Sequence, residues 1–240
     1  MKVKGKKIAA GLLVMLTFSV LIACQKDDAD STSGQTSSTT PALTGTDGVL
    51  WAIQQSTTMT VMGYEVSVEA GSGVGAFVNS GKNVDAGTVK LNGNVLTNMS
   101  NSYLYTILPT QPEGINFSSG IKWDVSGGNG FAPFNHTVSK SFPVASGFSA
   151  ASTLSSGSSY TISFTGVSGA DSIIFVVNNI HKTVPGTTKS YTFTASQLSS
   201  LKAGSAAISA APYNVTFATY GGKKIAFGTQ VVYQKNITVN

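Results

Sequence analysis

Tyr64-Glu65-Val66-Ser67-Val68-Glu69 alternates apolar and polar side chains, and further on Val89-Lys90-Leu91-Asn92-Gly93 repeats the alternation and ends in Asn-Gly. A period of two marks a strand with one buried and one wet face. Asn-Gly is the pair that best tolerates the two positive φ angles of a type I′ hairpin turn. The pattern recurs down the chain. Tyr103, Tyr105 and Ile107 form another alternating run, as do Tyr160, Ile162 and Phe164, and then Tyr191 and Phe193. Residues 173–177 read as a nearly continuous buried strand, and the last stretch pairs Val215 with Phe217, Ile225 with Phe227, Val231 with Tyr233 and Ile237 with Val239. Gly- or Ser-rich breaks at residues 71–75, 127–130, 166–169 and 221–222 separate these runs. Trp123, between Ile121 and Val125, is expected in a core.

The fold class expected is all-β, with no long amphipathic helix after the N-terminal segment. Many short strands with frequent turns predict β-sandwiches rather than a parallel α/β sheet. The boundary is placed near residues 143–147, giving one module over 47–145 and a second over 146–240. One larger sandwich of more than ten strands is the alternative. Leu198-x-x-Leu201-x-x-Gly204-x-x-Ala207, followed by Ile208-Ser209-Ala210, resembles the turn between sheets in an immunoglobulin-like module. The resemblance is one of architecture, because the Cys pair is missing and Trp123 lies in the other half.

Only 10% of the 240 residues are charged, against about 25% in an average globular protein. That excludes a coiled coil, a charged helical bundle and a charged disordered tail. The net charge of +5 comes largely from Lys2, Lys4, Lys6 and Lys7, and without them eleven Lys face ten acidic residues. There is no Arg, the residue that reads phosphates and bases bidentately. A nucleic-acid partner is therefore not expected.

Residues 1–7 are basic and residues 8–23 are uncharged and mostly apolar. Sixteen residues of helix span roughly 24 Å, short of the ~30 Å hydrocarbon core, which fits the h-region of a secretory signal. The run ends in Leu21-Ile22-Ala23-Cys24, which resembles the lipobox of bacterial lipoproteins. The resemblance implies that residues 1–23 are a signal peptide, cleaved between Ala23 and Cys24, and that Cys24 carries a lipid anchor. Acylation at two or more chains, palmitate among them, holds a protein on a bilayer where one chain does not. Gln25-Lys26-Asp27-Asp28-Ala29-Asp30 resembles the export signal of Bacteroidota-type surface lipoproteins. It implies an outer-membrane protein facing the medium. A calcium site at Asp28 and Asp30 is disfavoured, since two flexible carboxylates fall short of the six to eight oxygens calcium takes.

Residues 24–46 are expected to form a tether. Ten of the sixteen residues in 31–46 are Ser or Thr, a composition that cannot bury a core. Ser31 and Ser172 both stand in a three-residue pattern that resembles the O-glycosylation sites of that bacterial group, and Ser172 is read instead as the start of a strand.

No constellation for catalysis emerges. Seven carboxylates (Asp47, Glu65, Glu69, Asp85, Glu113, Asp124 and Asp171) fall in the folded part, none in a recognisable motif. Glu65 and Glu69 share a strand face but lie about 13 Å apart, beyond the separation of a glycosidase pair. His136 and His181 are the only histidines, no Gly-x-Ser-x-Gly elbow is present, and no Cys or His spacing suits zinc. No enzyme activity, metal or cofactor is expected. The aromatics are the better clue, since exposed rings stack on sugars or pack on a protein partner. Phe131 and Phe134, in Phe131-Ala132-Pro133-Phe134 after the glycine cluster, and Trp51 are the candidate contacts. The expected function is a non-enzymatic binding or accessory module in an outer-membrane protein assembly. A glycan-binding lipoprotein is the alternative, and a carbohydrate-active hydrolase the second. A flat aromatic face beside Asn and Asp at residues 131–134 would favour sugar, and a broad apolar patch there would favour protein.

Overall fold

The structure, a computed structural model, describes residues 43–61, 64–107 and 110–240, with 58–61 and 64–67 described through their backbone only. It is all-β and sandwich-like. Two long antiparallel strands come first, β1 (Gly48–Val61) and β2 (Tyr64–Asn79). Seven short ones follow: β3 (Lys82–Asn83), β4 (Val89–Leu91), β5 (Asn94–Val95), β6 (Thr97–Met99), β7 (Ser102–Leu104), β8 (Lys122–Val125) and β9 (Phe134–Thr137). Then come β10 (Val144–Ser146), β11 (Ser149–Ala150), β12 (Thr153–Leu154), β13 (Tyr160–Ser163), β14 (Gly166–Ser168), β15 (Ser172–Val177), β16 (Ile180–Pro185) and β17 (Ser190–Phe193). The chain closes with a long hairpin, β18 (Gly204–Tyr220) and β19 (Lys223–Val239).

One ten-stranded sheet runs through the molecule in the order β16-β15-β18-β19-β1-β2-β7-β6, with β3 and β12 at its margins. Its centre joins the two ends of the sequence, because β1 pairs in parallel with β19, Gly48 opposite Ile225 through Thr58 opposite Lys235. Two small sheets, β5-β4-β8-β9 and β11-β13-β17, supply further strands. The first packs Val89, Leu91, Trp123 and Val125 against Leu50, Ala52, Phe77, Ile225 and Phe227. The second packs Tyr160, Ile162 and Phe193 against Phe175, Ile208, Ala210 and Ile237. The C-terminal hairpin thus serves both clusters, its tip in the first and its base in the second, while residues 143–147 lie where the chain passes from one to the other.

Local chemistry explains the turns. Asn92 and Gly93 take φ of 48° and 79°, the type I′ geometry expected. Gly221 and Gly222 do the same at 56° and 81°, closing the long hairpin in two residues. The glycines of residues 71–75 behave otherwise. They form no break and lie inside β2, because a Cβ on Gly73 would stand 2.5 Å from the Leu91 side chain and 3.3 Å from Trp123. Their absent side chains let the small sheet approach, which a strand glycine commonly allows. Residues 173–177 also alternate rather than bury throughout. Ile173, Phe175 and Val177 are wholly buried, and Ile174 and Val176 are half-buried on the opposite face.

Asn214 ties the segment before β10 to the middle of the hairpin. Its amide nitrogen donates to the carbonyls of Ser141 (3.0 Å) and Gly169 (2.7 Å), and its oxygen accepts from the N–H of Asp171 (3.0 Å). Asp171 in turn takes both hydrogen bonds of the Lys140 ammonium, at 2.6 and 2.7 Å. Ser172 follows as the buried first residue of β15, as the sequence suggested, and is closed to modification.

Candidate functional site

Alternation sends the other set of side chains of the ten-stranded sheet to its second face. A third, smaller cluster forms there from Tyr213, Val215 and Ala226, with Val49, Trp51, Ile174 and Leu43 packed on it. Leu43 is its only member from outside the strands. One cross-strand row on this face runs Val215, Gly228, Trp51, Val74, Leu104. The next runs Tyr213, Gln230, Ile53, Ser72. Beyond these, Gln55 lies beside Val232 and Thr57 beside Gln234. The positions that β1, β18 and β19 present here, from residue 49 to 57, 209 to 217 and 226 to 234, include no Asp, Glu or Lys, and at the rim the Lys224 ammonium lies over the Phe217 ring at 4.6 Å. Val68, Phe217 and Met99 belong to the same face and are exposed to 43%, 39% and 57%. This corrects the expectation that Val68 and Phe217 point into a core.

Trp51 has the most specific setting. A Cβ on Gly228 would collide with indole atoms Cδ2, Cε3 and Cε2 alike, so the ring lies flat across the strand in the space that glycine leaves. Its N–H donates to Gln230 Oε1 at 2.8 Å, and Tyr213 stands 5.7 Å away, tilted by 49°. A further amide pair, Gln55 Nε2 to Gln234 Oε1 at 3.4 Å, continues along the same two strands.

Phe131 and Phe134 are placed differently from expectation. Both are buried, at 6% and 7% exposure, inside the first cluster. Gly127, Gly128, Asn129 and Gly130 all take positive φ, and Gly128 and Phe131 exchange backbone hydrogen bonds, so the loop closes on itself and drives both rings inward. Phe131 meets Phe77 edge-on at 5.0 Å, and Phe134 stacks on Tyr220 at 4.3 Å. No aromatic platform stands at residues 131–134. The neighbouring surface is a shallow depression of about 850 Å³ lined by Thr88, Lys90, Asp124, Ser126, Phe134 and Asn135 among others.

The titratable groups serve the fold. Tyr103 donates to Asp85 at 2.6 Å, and this bond, with the N–H of Gly87, holds the Asp85 carboxyl below its usual range. The N–H of Lys224, then the Lys223 ammonium at 3.2 Å, lowers Asp47 in the same way. His136 lies over Phe227 with ring centres 3.6 Å apart, its Nδ1 is 2.8 Å from the Tyr220 hydroxyl, and its Nε2 is buried without a partner. Burial pushes its pKa down. Among the described residues, no three His, Cys, Asp or Glu side chains gather as metal ligands. Ala23, Cys24 and residues 25–28 lie outside the described residues.

Gly228, Gln230, Gln55 and Gln234 escaped the sequence reading. Their signal was present in Ala226-x-Gly228-x-Gln230-x-Val232-x-Gln234, an uncharged alternation beside a second one from Val49 to Thr57. Seeing it as one surface requires the parallel pairing of β1 with β19. No protein-family model matches the chain, and no curated protein is significantly similar to it.

Proposed function

We propose that this chain is a lipid-anchored surface protein of an outer membrane, acting as a non-enzymatic binding or accessory module. The observation that favours a binding role is the set of apolar side chains left in water at the margins of this face, Val68, Met99 and Phe217, around a buried interior of Ile53, Ser72, Val74, Tyr213 and Val215. Large apolar side chains kept in water are one mark of a contact site where they gather. The anchor and location rest on Leu21-Ile22-Ala23-Cys24 and on residues 25–30. The engagement of Asp47, Asp85 and Asp171 in hydrogen bonds to neighbouring backbone and side chains supports a non-enzymatic role. Two immunoglobulin-like cores that share one continuous sheet, carried on a Ser/Thr tether, complete the proposal.

Two experiments test it. Protease added to intact cells should remove the protein, and Cys24→Ala should abolish incorporation of labelled palmitate and release the chain from the membrane fraction. Survival of the chain in intact cells with loss after lysis would rule out the surface location. Separately, tagged protein extracted in mild detergent should bring down an outer-membrane partner in stoichiometric amount, or arrive alone and bind a glycan. If it does neither, the binding role is wrong.

A further inference from the structure

We propose that Asn129 is a site of spontaneous deamidation, and that its conversion unlocks the loop that holds Phe131 inward. The chain contains Asn-Gly twice, at Asn92-Gly93 and Asn129-Gly130. Glycine has no Cβ to shield its N–H from the carboxamide of the residue before it. Its nitrogen attacks the asparagine Cγ, and the amide nitrogen leaves as ammonia. Water then opens the five-membered imide at either carbonyl, giving Asp or isoAsp. The attack is intramolecular and needs no co-reactant but water, so its rate follows how freely carboxamide and nitrogen can meet.

The two pairs share nearly everything except their side-chain partners. Both occupy the centre of a two-residue turn, one between Leu91 and Asn94 and the other between Gly128 and Phe131. Their φ angles are 48° and 79° at Asn92-Gly93, and 48° and 93° at Asn129-Gly130. In both, an amide donates to the asparagine carbonyl, Asn94 Nδ2 to Asn92 at 3.2 Å and Asn79 Nδ2 to Asn129 at 3.1 Å. The carboxamide of Asn92, however, is half-buried and held at three points. Its Nδ2 donates to the carbonyls of Asn116 and Gly120 at 2.8 Å each, and its Oδ1 accepts the Lys122 N–H at 2.8 Å. Those bonds retain the leaving nitrogen and fix Cγ. Asn129 is exposed, and among the described residues its carboxamide makes one bond, from Nδ2 to the Asp85 carbonyl at 2.7 Å.

Conversion alters what that bond secures. A carboxylate has no proton to donate, so an oxygen comes to face the Asp85 carbonyl oxygen. IsoAsp also lengthens the main chain inside a turn closed by the two hydrogen bonds between Gly128 and Phe131. Phe131, packed edge-on against Phe77, is the side chain that this turn sends into the core.

The test ages the full chain, purified in mild detergent, in mildly alkaline buffer. Peptide mapping follows the mass rise as amide NH₂ becomes OH, and an isoaspartyl methyltransferase scores isoAsp. In the folded protein the Asn129 peptide should convert faster than the Asn92 peptide by about tenfold or more, the rate equivalent of two additional hydrogen bonds that must break first. In urea the two should convert at similar rates. Asn129→Gln, which would have to close a six-membered ring, should remove the fast conversion and leave that of Asn92 unchanged. Equal rates in the folded protein, the same contrast in urea, or a folded Asn129 that stays intact while the unfolded chain converts, each overturns the assignment. The unlocking has its own readout. The aged, more acidic form, separated by ion exchange, should exchange amide hydrogens faster at residues 127–131 than the fresh form, and identical exchange overturns that part.

Discussion

On one face of the large sheet Gly73 leaves room for Trp123, and on the other Gly228 leaves room for Trp51. The two pairs look alike in sequence, a strand glycine and a tryptophan far away in the chain, yet they do opposite things. Trp123 reaches across from a second sheet and is wholly buried, so its glycine exists to let two layers close. Trp51 comes from the strand next to its glycine and lies down on its own sheet, and its outer side stays in reach of solvent. The first pair builds a core. The second covers the backbone and the small buried cluster of Tyr213, Val215 and Ala226 on the other face, with Trp51 itself only half-buried.

The sharpest way to break this comparison is to truncate each tryptophan. Trp123→Ala removes a wholly buried ring and leaves a cavity between layers, and should cost about 3–5 kcal/mol in urea unfolding. Next in size is Asn214→Ala. It takes the amide partner from the Gly169 carbonyl, while the Ser141 carbonyl keeps the Thr229 hydroxyl and the Asp171 N–H keeps the Tyr213 carbonyl, and should cost about 1–2 kcal/mol. It should also raise hydrogen exchange in residues 138–142 before any effect reaches the strands around Trp51.

A smaller and pH-dependent effect belongs to His136, again on the covered face. Burial lowers its pKa in the folded state below the ordinary value of about 6.5. The unfolded chain therefore takes up a proton more readily, and stability falls as pH drops below about 6.5 until the folded histidine titrates as well. His136→Gln should flatten that part of the urea midpoint against pH. A slope that persists unchanged in the variant would assign the effect to other groups.

The fold was legible in the sequence wherever one face of a strand is wet. Val89, Leu91 and Lys90 alternate as read, Asn92-Gly93 turns as read, and Trp123 is in the core as read. Legibility failed where both faces carry small or apolar residues. The glycines of residues 71–75 resemble a turn, since nothing local reveals that Leu91 and Trp123 will occupy their space. The inward closure of Phe131 and Phe134 depends on four consecutive positive φ angles, which a glycine-rich string permits but does not dictate. Trp51 was singled out in the sequence and its neighbours were not, because Gln230 lies 179 residues away and meets it only through the parallel pairing of the two ends of the chain.

The smallest expected stability effect belongs to Trp51. Trp51→Ala removes a ring of the same size as Trp123, but one that is only half-buried, and it should cost about 1 kcal/mol, well below Trp123→Ala. Fluorescence separates the two rings. In the wild type, iodide should quench the part of the emission that comes from Trp51. In Trp51→Ala the remaining emission should be blue-shifted and shielded from quencher, since Trp123 alone contributes. A loss near 3 kcal/mol, or wild-type emission that iodide cannot reach, would mean that Trp51 is packed on both sides and the second face is a core after all. A near-neutral substitution, with wild-type emission that iodide reaches, would place the ring at the margin of that cluster, laid flat over Gly228 and fixed by the Gln230 amide.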